Sequence, residues 1–216
     1  MEQYNRNLIR FFGQNEYMYE PCSDCERCLA LVKSRKRVSG GFGKVPCKIM
    51  FVGEAPGQNG CDMTGIPFTR DKSGKYFQHC LQQARFNFEE VYTTNICKCS
   101  PPGNRNPEDK EIENCLPYLK NEIKWVKPEI VVCLGRVACK VFLNTNRFSV
   151  VADEGSMQPS GVEWYKGKVI VMPHPAYILR KGKPENERYL QEFKYIFNIW
   201  LSAMKIDTKI TDERWT

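Results

Sequence analysis

Short apolar runs alternate along this chain with stretches whose apolar residues recur every three or four positions. The runs Ile49 to Val52, Val91 to Ile96, Glu129 to Leu134 and Lys168 to Met172 are of strand length and are bounded by glycine, proline or charge. They predict four β-strands. Helical patterns lie between them. From Ser73, whose hydroxyl can cap a helix, Phe77, Cys80, Leu81 and Ala84 share one face, with His79 beside it. Asn106-Pro107-Glu108-Asp109 reads as a second helix start, and Ile112, Cys115, Leu116 and Leu119 form its stripe. Pro117 is expected to kink or shorten that helix. Gly135 opens a third helix over 136–143. A fourth, over 185–204, puts Leu190, Phe193, Phe197, Trp200, Leu201 and Met204 on one face. Residues 1–21 read as a helix leading into a loop, 58–70 as a loop, 144–166 as irregular, and 205–216 as a loosely held tail.

Strand and helix alternate with no hairpin signal between the main strands. The expected fold is therefore α/β, a three-layer α/β/α arrangement around a central, mainly parallel, four-stranded sheet, built as one domain over 1–216. Right-handed crossovers bring the carboxyl ends of such strands together, and ligands bind there. Three polar residues fall at or just past those ends: Glu54, Asn95 and His174. Glu54 sits in Gly53-Glu54-Ala55-Pro56-Gly57, a turn that stops its strand abruptly. His174 is framed by prolines and is one of only two histidines.

Composition narrows the reading further. The chain has 216 residues, 42% of them hydrophobic, and no apolar run approaches a membrane span. Met1 to Arg10 is polar and charged, unlike a secretory leader, so an intracellular protein is expected, cytoplasmic or with the nucleoid or nucleus. A net charge of +7 suits a polyanionic partner such as nucleic acid. Eleven cysteines are many for this length, and an odd number cannot all pair. In a reducing compartment, metal ligands together with buried thiols explain them better than disulfides. Cys22, Cys25 and Cys28 form two overlapping C-x-x-C pairs in a polar loop, a spacing that lets two thiolates hold one metal or cluster. The basic run Lys33 to Arg37 reads as a solvated loop.

Taken together these segments resemble the family 4, iron–sulfur uracil-DNA glycosylases, from about Cys25 to Tyr195. The resemblance rests on Gly53 to Gly57, Gly65-Ile-Pro-Phe68, Asn95-Ile-Cys-Lys-Cys99 with Pro-Pro-Gly-Asn-Arg105, Cys115, and His174-Pro-Ala-Tyr177, all in the family's order. It implies a uracil-DNA glycosylase-like fold and a monofunctional, monomeric enzyme that flips uracil out of single- or double-stranded DNA and hydrolyses its glycosidic bond. It also implies a [4Fe-4S] cluster held by Cys25, Cys28, Cys99 and Cys115, with a structural role. The spacing alone would equally allow zinc, and Cys22 with Cys25 has the same internal spacing as Cys25 with Cys28.

By the same resemblance Phe68 is the floor for the base and Asn95 its reader. His174 is the donor to uracil O2, Glu54 acts at the sugar and water, and the backbone from Ala55 to Gly57 lines the pocket. Arg105, Arg180, Lys181 and Lys183 are expected at phosphates, and Tyr177 to Arg180 as a wedge in the base stack. The chain departs from the family after Gly57. Cys61 or Gly60 stands where an acidic residue is usual, one residue is inserted before Phe68, and another before Gly74. Two rival expectations follow: excision of another deaminated base, or a glycosylase-like iron–sulfur module that holds DNA without cutting it. An electron-transfer protein would need a second cofactor motif, which the sequence does not contain.

Overall fold

The computed structural model describes residues 8–10, 16–19, 23–145 and 157–203. Eight strands form one sheet: β1 (Leu8–Arg10), β2 (Glu16–Tyr19), β3 (Phe42–Lys44), β4 (Ile49–Gly53), β5 (Tyr92–Asn95), β6 (Ile130–Leu134), β7 (Gln158–Pro159) and β8 (Lys168–Met172). Their spatial order is β1-β2-β3-β5-β4-β6-β8-β7. The middle four, β5-β4-β6-β8, are parallel and are the four strands read from the sequence. The four-stranded expectation is too small because β1, β2 and β3 extend one edge and β7 the other, all antiparallel. These strands have two to four residues each, too short for a clear alternation signal. The expected helix over 1–21 is likewise corrected, because β1 and β2 occupy part of that segment.

The helices are α1 (Leu29–Ser34), α2 (Cys61–Thr64), α3 (Lys72–Gln83), α4 (Asp109–Val126), α5 (Arg136–Leu143), α6 (Pro175–Lys181) and α7 (Lys183–Ala203). Side chains of the parallel strands alternate between two cores, as period 2 requires. Met50, Val52, Val131, Cys133, Val169 and Val171 pack with Leu119, Ile123, Ala138 and Phe142, so α4 and α5 cover one face. Ile49, Phe51, Val132, Leu134, Ile170 and Met172 pack with Phe77, Leu81, Ile178 and Phe193, so α3, α6 and α7 cover the other. The three-layer expectation describes this arrangement.

Local chemistry adjusts several boundaries. Asp71, not Ser73, caps α3: its Oδ1 accepts from Gly74 N at 2.7 Å. Helix α4 runs unbroken through Pro117 for 18 residues. Pro117 and Glu113 are both exposed, so water can take the Glu113 carbonyl that the proline leaves unpaired. His79 is exposed on α3. The proposed tail over 205–216 lies outside the described residues.

Candidate active site

The carboxyl ends of the parallel strands carry the polar groups. Gly53 of β4 lies in register with Asn95 of β5, and Glu54 follows Gly53 into the turn. Gly53 has to be a glycine: a Cβ there would lie 2.5 Å from Asn95 Oδ1 and 2.8 Å from Phe68 Cζ. The bare Cα therefore lets the amide and the ring close over the strand end. Phe68, at φ 54°, packs at a tilt against Phe77 with ring centroids 4.4 Å apart, and its own centroid is 6.2 Å from the His174 ring. Asn95 is 4% exposed and Phe68 8%. Both lie beneath the cleft wall rather than in it.

A cleft of about 700 Å³ opens above them. Glu54, Ala55, Gly57, Asp71, Arg105, His174 and Arg180 are among its lining residues. The structure thus groups eight of the ten predicted catalytic, base-binding and DNA-binding residues around one cleft: Glu54, Ala55, Gly57, Arg105, His174 and Arg180 in its wall, with Asn95 and Phe68 beneath. Lys181 faces a separate small cavity between α6 and α7, with its Nζ 5.2 Å from the Tyr177 ring centroid. The side chain of Lys183 lies outside the described residues.

His174 caps α6, its Nδ1 accepting from Ala176 N at 3.2 Å. An imidazole that accepts at Nδ1 carries its proton on Nε2. Burial pushes its pKa down to about 4, with Asp71 acting upward and Arg180 downward. The ring is therefore neutral at neutral pH. Gly135, at φ +98°, makes room for it: a Cβ there would lie 3.2 Å from His174 Cβ. Burial raises the Glu54 carboxyl above its ordinary value.

Arg105 is not a free cation. Its Nη1 and Nη2 donate to Glu111 Oε2 at 2.8 Å and Oε1 at 2.7 Å, and Glu108 Oε1 lies 3.2 Å from Nη2. That fork holds the 101–106 loop against α4. Asn104 Oδ1 in turn accepts from Gln58 N at 2.8 Å, fastening the loop to the glycine-rich turn.

The four predicted ligand cysteines come from three segments and face one another electrostatically. Cys28 interacts with Cys115 and Cys25, and Cys99 with the same two. Arg35 Nη1 donates to Cys99 Sγ at 3.3 Å and to the Cys25 carbonyl at 2.8 Å. Asn114 Nδ2 donates to Cys28 Sγ at 3.3 Å. Arg35 thus departs from the solvated-loop expectation for 33–37. Cys97 is fully buried and hydrogen-bonds Cys115, which lowers the Cys115 pKa and raises that of Cys97. Cys22 lies outside the described residues. Among the described residues, no group of three or more His, Cys, Asp or Glu is arranged to hold a single metal ion.

A family model for the uracil DNA glycosylase superfamily matches residues 41–197, from β3 to α7. The chain belongs to that superfamily. Similar proteins include the type-4 uracil-DNA glycosylases of Archaeoglobus fulgidus, 35% identical over 80% of this chain and 86% of that protein, and of Thermotoga maritima, 32% identical over 82% and 89%. A type-5 uracil-DNA glycosylase of Pyrobaculum aerophilum is 30% identical over 56% of this chain and 65% of its own. At this coverage the type-4 proteins place the chain in the type-4 family. The crystal structure of SMUG2 from Pedobacter heparinus matches with a TM-score of 0.54 at 14% identity, over 93% of this chain and 96% of that one. At that identity it speaks for the shared fold alone.

For this uracil-DNA glycosylase-family chain, sequence reasoning missed three polar side chains. Asp71 lines the cleft within electrostatic reach of His174; its one signal is a helix-cap aspartate three residues before Gly74. Arg35 sits among basic residues that look solvated. Lys98 is buried beneath the cysteine loop, and no periodicity marks it. Cys61, noted at the family's acidic position, packs beside the base-reading candidate, its Sγ 4.0 Å from Asn95 Nδ2.

Proposed function

We propose that this chain removes uracil from DNA by hydrolysing its N-glycosidic bond, releasing free uracil and leaving an abasic site. The observation that carries the reading is the gathering of Glu54, Asn95 and His174 at the carboxyl edge of the parallel strands, with Glu54 and His174 lining one cleft and Asn95 beneath its wall. The nucleotide turns out of the stack, and Phe68 supports the base. Asn95 Oδ1 accepts from uracil N3–H and its Nδ2 donates to O4. Cytosine carries the reverse pattern and leaves both groups unpaired. As the C1′–N1 bond breaks, its electron pair stays with uracil and charge builds on O2, where the His174 Nε2–H donates. Water adds to C1′. Glu54 steadies the cationic sugar and orients that water, and the proton that the water loses neutralises the departing uracil.

The exposed cations Arg180 and Lys181 follow His174 on α6 and suit phosphates. Lys183 is placed with them by sequence alone, and Arg105 acts by bracing the cleft loop. Exposed Tyr177 and Leu179, 45% and 39% accessible, suit the space a flipped base leaves. The protein acts as a monomer and as a single domain. Its ten free cysteines among the described residues suit the reducing interior of a cell, where the DNA is. Among the described residues no helix is long and apolar enough to cross a membrane.

Cys25, Cys28, Cys99 and Cys115 hold a [4Fe-4S] cluster in this reading. Four soft thiolates from three segments fit such a group, and Arg35 and Asn114 supply hydrogen bonds to two of the sulfurs. The cluster supplies a cross-link between the 23–28 loop, the Asn95–Cys99 segment and α4. Purified protein is expected to be brown, absorbing at about 400 nm. Cys99→Ser and Cys115→Ser lose that colour and melt at lower temperature, whereas Cys97→Ser keeps it. A colourless protein carrying zinc would contradict the assignment.

The function is tested by mass spectrometry of a uracil-containing oligonucleotide after incubation, with free uracil and an abasic strand as the expected products. The pH profile tests Glu54. Its carboxyl is raised by burial, so it is protonated over a wider acid range than an ordinary glutamate. Activity therefore falls as pH drops through that raised pKa, and Glu54→Gln lowers the rate and removes this acid limb. An unchanged limb in Glu54→Gln would assign it to another group.

A further inference from the structure

Lys98 lies between Cys97 and Cys99, yet its side chain is only 1% exposed. Its Nζ donates to Thr94 Oγ1 at 2.7 Å, to the Asn95 backbone carbonyl at 2.7 Å and to Glu122 Oε2 at 2.6 Å. An ammonium has three protons, and each has a partner here. Glu122 reaches in from α4 and is fully buried. Its two oxygens also lie 3.1 and 2.9 Å from Thr94 Oγ1, and burial raises its pKa against the pull of Lys98.

Stability is a poor reason for such a pair. Well-packed apolar side chains of similar volume usually serve a core as well or better. What an apolar pair could not do is hold the Asn95 carbonyl. The Asn95–Cys99 segment is fastened on its β4 side by Ile96 N to Gly53 O at 2.9 Å and Cys97 N to Glu54 O at 3.0 Å. Ser39 N binds the Lys98 carbonyl at 2.7 Å. Lys98 Nζ adds a hold directly on the peptide whose side chain lies against Phe68 and Gly53.

We propose that Lys98, fixed by Glu122 and Thr94, is a positioning residue for base recognition: it clamps the Asn95 peptide so that the amide meets uracil at the required angle. The inference rests on Asn95 being the base reader. Misplacement of a reading group by about 1 Å can cost on the order of 100-fold. Lys98 touches no substrate, so its effect must show in discrimination rather than in overall binding.

The test is a pair of affinities measured on the intact, cluster-loaded protein. One oligonucleotide carries a single 2′-fluoro-deoxyuridine, whose glycosidic bond resists cleavage, and the other carries 2′-fluoro-deoxycytidine at the same place. The double variant Lys98→Met with Glu122→Gln removes both charges and leaves no buried ion unpaired. It is expected to lose about 100-fold in its preference for uracil, as Asn95→Ala does, while its affinity for the cytosine strand holds. Thr94→Val keeps the ion pair, loosens one anchor, and gives an intermediate loss of preference. It carries the test should the double variant not fold. Preference lost in Asn95→Ala but kept in the double variant, or in Thr94→Val where the double variant does not fold, overturns the inference alone. Equal losses on both strands assign Lys98 to packing and overturn it too. Preference kept in Asn95→Ala overturns the base-reading assignment and this inference with it.

Discussion

His174→Ala is expected to slow uracil excision by about 10²–10³-fold, the usual effect of removing one preorganised donor to a developing oxyanion. The magnitude follows from the geometry of a single ring. Ala176 N donates to His174 Nδ1 at 3.2 Å, so the remaining proton is on Nε2. With its pKa pushed down to about 4, the ring stays a neutral donor through the physiological range. Charge on uracil O2 is fully developed only as the bond breaks. The loss therefore falls on kcat and spares substrate affinity. Single-turnover kinetics at saturating enzyme separate the two.

His174→Asn serves as the control, since an asparagine can still cap α6 but lacks the imidazole donor. It should be as slow as the alanine variant and more stable. The same pKa also gives a stability prediction. Between about 4 and the ordinary histidine value of 6.5, the unfolded chain binds a proton at His174 that the folded chain refuses. Stability at this site is thus complete above 6.5 and declines as pH falls towards 4. Melting temperatures of His174→Asn should fall less steeply than those of the natural chain across that window.

The second large effect is at Asn95. Asn95→Asp replaces the Nδ2 donor by an acceptor while keeping the side chain's shape. Uracil O4 then meets an oxygen, and the buried carboxylate has no proton to give. A loss of about 10³-fold or more in kcat/KM for uracil is expected, since sites built on paired polar groups reject a mismatch by factors up to roughly 10⁴–10⁵. A carboxylate can instead accept from cytosine N4, so the ratio of uracil to cytosine excision should narrow. Excision rates on matched uracil and cytosine oligonucleotides measure it. An unchanged ratio would remove Asn95 from base reading.

The parallel centre of the sheet was legible because each strand is an unbroken apolar run between turn signals. The placement of Glu54, Asn95 and His174 at the strand ends was legible for the same reason, since each closes or follows such a run. The antiparallel edges were not. Leu8–Arg10, Phe42–Lys44 and Gln158–Pro159 are too short for alternation to register, and pairing partners distant in sequence decide their state. Pro117 misled because the rule against helical proline weakens where the freed carbonyl is exposed. Asp71, Lys98 and Arg35 were illegible for a different reason. A lysine looks the same in sequence whether solvated or buried against a glutamate 24 positions away, and only the crossing of β5, α4 and the cysteine loop shows which it is. Arg105 shows the converse: a cation that the sequence assigns to phosphate is already forked onto Glu111.

The most direct measurement is the single-turnover cleavage of a labelled single-stranded oligonucleotide bearing one uracil, developed with alkali, for the natural chain beside His174→Ala of matched melting temperature and cluster content. Alkali-sensitive strands are expected from the natural chain, and a rate at least about 100-fold lower from the variant. Equal rates would remove His174 from the chemistry. No abasic strand from the natural chain, on this substrate or on a U·G duplex, would contradict uracil excision itself.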